Sequence, residues 1–188
     1  GDGDTVLDLG TGSGYAARVL AARAEGVQVL ALDAAAAMAS AAAGAAPAVM
    51  PLVGRFERVP LATDSIDHCW SMEAFYYSSA PEQTLRELHR VLRPGGTFHC
   101  AVNFYEANTY SHHWPDRVGL PMVRWSAAEY RAAFRAAGFA VATQRQIPDR
   151  IVDIPPAATF PTEGFETRAQ MRERYRDLGT LLTVGVAR

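Results

Sequence analysis

A glycine-dense turn set between two apolar runs constrains this chain more than any other feature. Val6-Leu7-Asp8-Leu9 leads into Gly10-Thr11-Gly12-Ser13-Gly14, and a second run, Val27-Gln28-Val29-Leu30-Ala31-Leu32, ends at Asp33. Strand, tight turn, helix and a second strand closed by a carboxylate form one half of a doubly wound nucleotide-binding sheet. Such a turn needs glycine because a Cβ would block the backbone's approach to a ligand. Asp33, expected at the carboxyl end of the second strand, can accept both hydroxyl protons of a ribose. The pattern predicts a site for an adenosine-type cofactor.

The glycine spacing narrows the choice. Dinucleotide sites usually space their glycines G-x-G-x-x-G, with the last packing helix against strand below a pyrophosphate. Here the spacing is G-x-G-x-G, and Asp8 lies two residues before Gly10. A carboxylate at that point repels a pyrophosphate and suits the ammonium end of an amino acid. A nicotinamide-dependent dehydrogenase is thereby disfavoured.

At these residues the chain resembles the class I S-adenosylmethionine-dependent methyltransferases, chiefly the group acting on small molecules. The likeness continues through Gly54-Arg55-Phe56-Glu57-Arg58-Val59-Pro60-Leu61 and Asp64-Ser65-Ile66-Asp67. It is strong again at Leu85-Arg86-Glu87-Leu88-His89-Arg90-Val91-Leu92-Arg93-Pro94-Gly95-Gly96. Specific motifs thus cover residues 1 to about 103; beyond them only the pattern agrees. The resemblance implies an α/β fold, a Rossmann-like doubly wound sheet of seven mostly parallel strands with an antiparallel last strand and helices on both faces. It implies S-adenosyl-L-methionine as cofactor and methyl transfer to a small-molecule acceptor by in-line displacement. The cofactor is expected at Asp8, Gly10, Thr11, Gly12, Gly14, Asp33, Met38, Arg55 and Phe56, with Met38 and Phe56 on opposite faces of the adenine. Family members usually carry one or two helices ahead of the first strand, so a leading helical segment is expected before residue 1.

Arg55 departs from the family pattern. An acidic residue there commonly accepts a hydrogen bond from the adenine amino group, and arginine has only donors. Either Glu57 or backbone carbonyls take over, or cofactor affinity falls. This departure keeps a second reading open, a catalytically silent S-adenosylmethionine-binding module acting as a regulatory or partner subunit.

Along the chain, strands are expected at 4–9, 27–32, 47–53, 66–72, 97–103, 139–147 and 181–187. Helices are expected at 13–24, 34–44, from Pro81 to before Pro94, 126–137 and 167–178. Pro51 places the third strand at a sheet edge. Ser126 with Glu129 forms a capping box. Residues 1–188 read as one domain, whose segments at about 104–125 and 148–166 are too long for plain connections. Leaving the sheet after the fifth and sixth strands, they are expected to fold as lids over its carboxyl edge.

Candidate catalytic residues are Glu73, just after the fourth strand, and the pair His112-His113 in the first lid, since imidazole titrates near neutrality. Each has a plainer alternative: Glu73 as a supporting carboxylate, the histidines as a surface pair, Asp33 as a helix cap, Met38 as ordinary core. An Asn-Pro-Pro-Tyr sequence after the fourth strand is absent, which weighs against a nucleobase amino group as acceptor. No His, Cys or acidic cluster has clear metal-ligand spacing, His112-His113 with Asp116 being the one combination that leaves that alternative open, and no metal is expected. The net charge of −2 exerts no pull on nucleic acid or an anionic membrane. Lysine is absent altogether. The two cysteines, Cys69 and Cys100, read as buried reduced thiols in central strands. With no spanning segment or signal peptide visible, a cytoplasmic location is expected.

Overall fold

The computed structural model describes residues 2–188 apart from Ala24 and Ala45. Gly1 of the expected opening turn and Ala24 of the expected first helix therefore lie outside the described residues. β1 (Thr5–Leu9) sits between β2 (Gln28–Asp33) and β4 (Ile66–Met72), parallel to both. β3 (Val49–Val53) forms one edge, as Pro51 requires. On the other side come β5 (Leu92–Val102), β7 (Thr180–Ala187) and β6 (Phe139–Ile147), giving the order β3-β2-β1-β4-β5-β7-β6. β7 runs antiparallel to both β5 and β6. The expected seven-stranded doubly wound sheet is thus observed.

β1 and β2 are nearly continuous apolar runs because both of their faces are covered. On one face, α1 (Tyr15–Ala21) and α2 (Ala36–Ala43) bring Ala17 and Ala42 against Val6, Val27, Val29 and Val49. On the other, α3 (Pro81–Val91) lays Leu85, Leu88 and Val91 on the sheet at helical spacing, with Pro81 at its first turn. α4 (Trp114–Val118) lies within the 104–125 segment. α5 (Ala127–Ala136) begins at the expected box: Ser126 accepts from the Glu129 N–H, and the Glu129 side chain accepts from the Ser126 N–H. α5 contributes Tyr130 and Phe134 to the same core. Phe98 stacks flat on Phe134, with centroids 5.2 Å apart, beneath Gly185 of β7, where a Cβ would come within 2.8 Å of the Phe134 ring. Cys69 and Cys100 are buried and free. Among the described residues, no helix is long and apolar enough to cross a membrane.

Two elements differ from expectation. β5 starts at Leu92 rather than at 97, running on directly from α3 through Pro94-Gly95-Gly96. Leu92 pairs with Ile66, and a register shift follows, where Gly96 approaches the Asp67 carbonyl so closely that a Cβ would lie 2.8 Å from it. Glycine here permits the strand to continue instead of merely stopping the helix. The helix expected at 167–178 is α6 (Arg168–Arg172) followed by a π-helical turn over Glu173–Leu178. The Gly179 N–H reaches back five residues to the Arg174 carbonyl, while the Tyr175 carbonyl accepts from Asp149. A tertiary partner at Tyr175 thus competes with the regular helical ladder.

Phe98→Ala is expected to lower unfolding stability in urea by about 3–5 kcal/mol, because it removes a fully buried ring that the sheet cannot close over. A loss below about 1 kcal/mol would mean that this aromatic stack is not part of the main core.

Candidate active site

The three glycines of the first turn have three different environments. Gly10 has φ 75° and packs so closely that a Cβ would lie 2.4 Å from the Ala74 Cβ and 3.0 Å from the Phe56 ring. Gly14 has φ 82° and abuts the backbone of Ala42 on α2. Gly12, also at positive φ, would point its Cβ into open space. The outer two glycines therefore let the turn close against the protein, and the middle one leaves bare backbone facing a cavity.

That cavity, of about 740 Å³, lies at the carboxyl ends of β1, β2 and β4. Of the residues expected from sequence it gathers Gly10, Gly12, Asp33, Arg55, Phe56 and Glu73. Leu120 and Pro121 of the 104–125 segment join its lining, as does Tyr77. The segment is held there by the Val123 N–H, which donates to the Tyr76 carbonyl at 2.8 Å. The 148–166 segment does not line this cavity; the Arg176 guanidinium ties it down through the Asp149 and Val152 carbonyls.

Asp33 ends β2 with its carboxylate half-buried. One oxygen accepts from the Gly12 N–H at 3.1 Å and the other from the Ala35 N–H at 2.9 Å. It therefore joins the glycine turn to the start of α2. Each oxygen keeps a further lone pair for a hydroxyl donor.

Asp8 is placed otherwise than expected. It is 1% exposed and does not line the cavity. Its Oδ2 accepts from the Thr11 hydroxyl at 2.7 Å. Burial raises its pKa to about 6, against the Thr11 hydroxyl and the Ala17 N–H, which favour the charged form, and with the Asp33 charge adding to the rise. Thr11 is buried with it. Met38, 47% exposed on α2, also lies off the cavity. So do His112 and His113. His112 bonds through Nε2 to the Glu106 carbonyl at 3.0 Å, and His113 stands exposed at the start of α4. No group of three or more potential metal ligands occurs among the described residues.

Glu73 is the unusual group in the cavity wall. Its φ of 57° is a left-handed conformation that a non-glycine residue rarely adopts. Its N–H donates to the Ala101 carbonyl at 2.9 Å, and the Tyr76 hydroxyl donates to Oε2 at 3.2 Å. Oε1 is buried with no partner in the structure. Burial pushes the carboxyl up to about 7, opposed by hydrogen bonds from Asn103 and Tyr76 and by the charge of Arg174. Glu57 serves the backbone instead. Its Oε1 accepts from the Ser78 hydroxyl, the Ser79 N–H and hydroxyl, and the Ala80 N–H. These bonds outweigh desolvation and hold its pKa down. Glu57 thus braces the turn ahead of α3.

Leu120, Pro121 and Arg174 were not expected from the sequence. The first two lie in a lid with no motif, and Arg174 is one of four arginines between 168 and 176 with nothing local to single it out.

Residues 7–100 match the family described as Methyltransferase domain. The chain is 40% identical over 91 residues to malonyl-[acyl-carrier protein] O-methyltransferase 1 of Coxiella burnetii, covering 48% of this chain and 30% of that protein. It is 38% identical over 100 residues to a malonyl-[acyl-carrier protein] O-methyltransferase of Methylovorus, covering 48% and 34%. The chain therefore spans about a third of the length of these curated relatives. Among solved structures, a putative methyltransferase in complex with the Haloferax volcanii Trm112 methyltransferase activator is 53% identical, with TM-score 0.95, covering 99% of this chain and 83% of that one. An S-adenosylmethionine-dependent methyltransferase from Mesorhizobium loti, 20% identical with TM-score 0.74 over 98% of this chain and 91% of that one, shares the fold.

The raised carboxyl of Glu73 has a measurable consequence. Its folded pKa of about 7 exceeds the ordinary 4.5, so between these values the native state binds more protons than the unfolded one. Stability contributed by this group is therefore present below the lower value and lost as pH rises through the upper one. Glu73→Gln removes that titration, so its Tm should gain on wild type as pH rises from about 5 to about 8. Parallel Tm–pH curves for the two proteins would contradict this environment.

Proposed function

The chain belongs to the methyltransferase domain family, and on that premise we propose that it transfers a methyl group from S-adenosylmethionine to a small-molecule acceptor. The observation that carries this reading is the cavity in which bare Gly12 backbone, the Asp33 carboxylate and Glu73 face one space. These residues fit the cofactor. The open side of Gly12 admits a close approach, and Asp33 keeps lone pairs for the ribose hydroxyls. Phe56 and Ala74 offer apolar surface to the adenine. Asp8 acts from behind, holding Thr11 and with it the glycine turn. Glu57 also lines this cavity, and with its Oε1 committed to residues 78–80, its Oε2 and the backbone carbonyls are the acceptors left for the adenine amino group.

When bound, S-adenosylmethionine supplies a methyl group already activated by its sulfonium. The protein then has chiefly to align the acceptor, and positioning of this kind is worth on the order of 7–11 kcal/mol. Leu120, Pro121 and Tyr77 exclude water from the acceptor side. Where the acceptor atom carries a proton, Glu73 Oε1 accepts it, since a carboxyl titrating near neutrality is matched to that role. Neither His112 nor His113 is needed. The 104–125 segment acts as the lid and the 148–166 segment as an outer wall of one domain.

A partner is also part of this reading. From residue 34 to 53 the chain carries no charged side chain. This stretch forms α2 and the edge strand β3, where Met38, Met50 and Val53 are about half exposed. An uncharged helix beside an unpaired sheet edge is a surface that a protein partner covers. By analogy with the Haloferax relative, the occupant is a Trm112-type activator.

Calorimetric titration with S-adenosylhomocysteine should give saturable binding to wild type, and Asp33→Ala should weaken it at least about tenfold, or about 1.4 kcal/mol. Wild type that binds neither S-adenosylhomocysteine nor S-adenosylmethionine would refute the assignment. Co-expressed with the Haloferax volcanii Trm112 activator, wild type should copurify as a complex and Met50→Glu should not. Equal recovery of both would exclude this face as the docking surface.

A further inference from the structure

Beside the candidate active site is a buried arginine with no hydrogen-bonded or ion-pair partner among the described residues. Arg174 is 7% exposed, yet among the described residues its guanidinium has no hydrogen-bond acceptor and no carboxylate within ion-pair distance. Its one close partner is the Tyr175 ring, whose centroid lies 5.1 Å from Cζ. Most of the side chain is covered, but the guanidinium nitrogens still meet open space, so a ligand can reach them. Arg174 is also near enough to Glu73 and Tyr105 for its charge to act on both side chains.

Other buried polar groups of the fold are also incomplete. Glu73 Oε1 and Asn108 Oδ1 are buried and find no hydrogen-bond partner. Tyr105, by contrast, is committed: its hydroxyl donates to the Leu178 carbonyl at 2.9 Å and accepts from Gln146 at 3.3 Å. The backbone that presents Arg174 is fixed unusually firmly. It lies in the π-helical turn, an insertion that is frequent at functional sites. The turn is closed by Gly179, at φ 54° and ψ −148°, where a Cβ would lie 2.1 Å from the Ile147 carbonyl oxygen.

We propose that Arg174 is the acceptor-binding cation of this protein, holding a carboxylate of the methyl acceptor, with Glu73 as the wall shared between that anion and the cofactor cavity. The inference rests on the methyltransferase reading and names the substrate class of the same site. A planar guanidinium fork matches a carboxylate through two parallel hydrogen bonds. A single guanidinium balances a monoanion, whereas a phosphate dianion would keep an uncompensated negative charge in a largely buried site. In its protonated form Glu73 can donate a hydrogen bond from Oε1 to the same ligand.

The decisive comparison uses matched pairs that differ only in charge: acetate with acetamide, malonate with malonamide, and benzoate with benzamide. Each is titrated calorimetrically into the full chain without nucleotide. At least one carboxylate should bind wild type about tenfold more tightly than its amide. Arg174→Gln should abolish that preference, and Arg174→Lys should retain part of it. Absence of a carboxylate preference in wild type, or its persistence in Arg174→Gln, would overturn the proposal. The wild-type pairs decide the matter even if the glutamine variant does not fold. S-adenosylhomocysteine titrated into the same preparations separates the two readings. Wild type that binds it but shows no carboxylate preference defeats only the Arg174 assignment, whereas wild type that fails to bind it defeats the methyltransferase reading.

Discussion

Asp8 occupies the carboxyl end of the central strand β1 with almost none of its surface in water, and burying a carboxylate there is tolerable only because donors surround it. The Thr11 hydroxyl and the Ala17 N–H supply them, one from the glycine turn and one from the helix that follows. The turn is thereby held from beneath at the point where Gly10 presses on Ala74 and Phe56 and Gly14 presses on α2. Asp33 completes the frame from the neighbouring strand through the Gly12 N–H. The cavity exists because these two carboxylates fix the loop between them, one buried below it and one facing outward.

The opposite wall follows another logic. Glu73 combines a strained backbone, a buried oxygen without a partner and a carboxyl near neutrality. A strained conformation persists only where its surroundings enforce it. Here the Ala101 carbonyl on β5 and the Tyr76 hydroxyl do so. The two walls therefore divide the work: the glycine side offers backbone and the Asp33 acceptor, and the Glu73 side offers a proton site close to Arg174.

Much of this arrangement was legible in the chain. Parallel strands buried on both faces announce themselves as apolar runs, and glycines with a following carboxylate mark the first crossover, so the sheet, its edge at Pro51 and the Ser126 cap followed from local rules. The direction of a side chain did not. Asp8 reads as a ligand-facing group until its neighbours are known, because only the folded loop places the Thr11 hydroxyl above it. His112 and His113 suit general-base chemistry by type, yet neither lines the cavity: His112 is held on the Glu106 carbonyl and His113 is exposed at the start of α4. Arg174 was hidden for the converse reason: its role depends on a π-helical turn set by the distant contact between Asp149 and Tyr175. Periodicity alone cannot supply such a contact.

A crystal structure of the chain with S-adenosylhomocysteine would test the central claim most directly. The ligand is expected across the carboxyl ends of β1, β2 and β4, its ribose hydroxyls on Asp33 and its backbone-facing side against Gly12, with Asp8 still bonded to Thr11. A ligand seated elsewhere, or an Asp33 carboxylate turned away from it, would contradict the claim that these two carboxylates build the cofactor site.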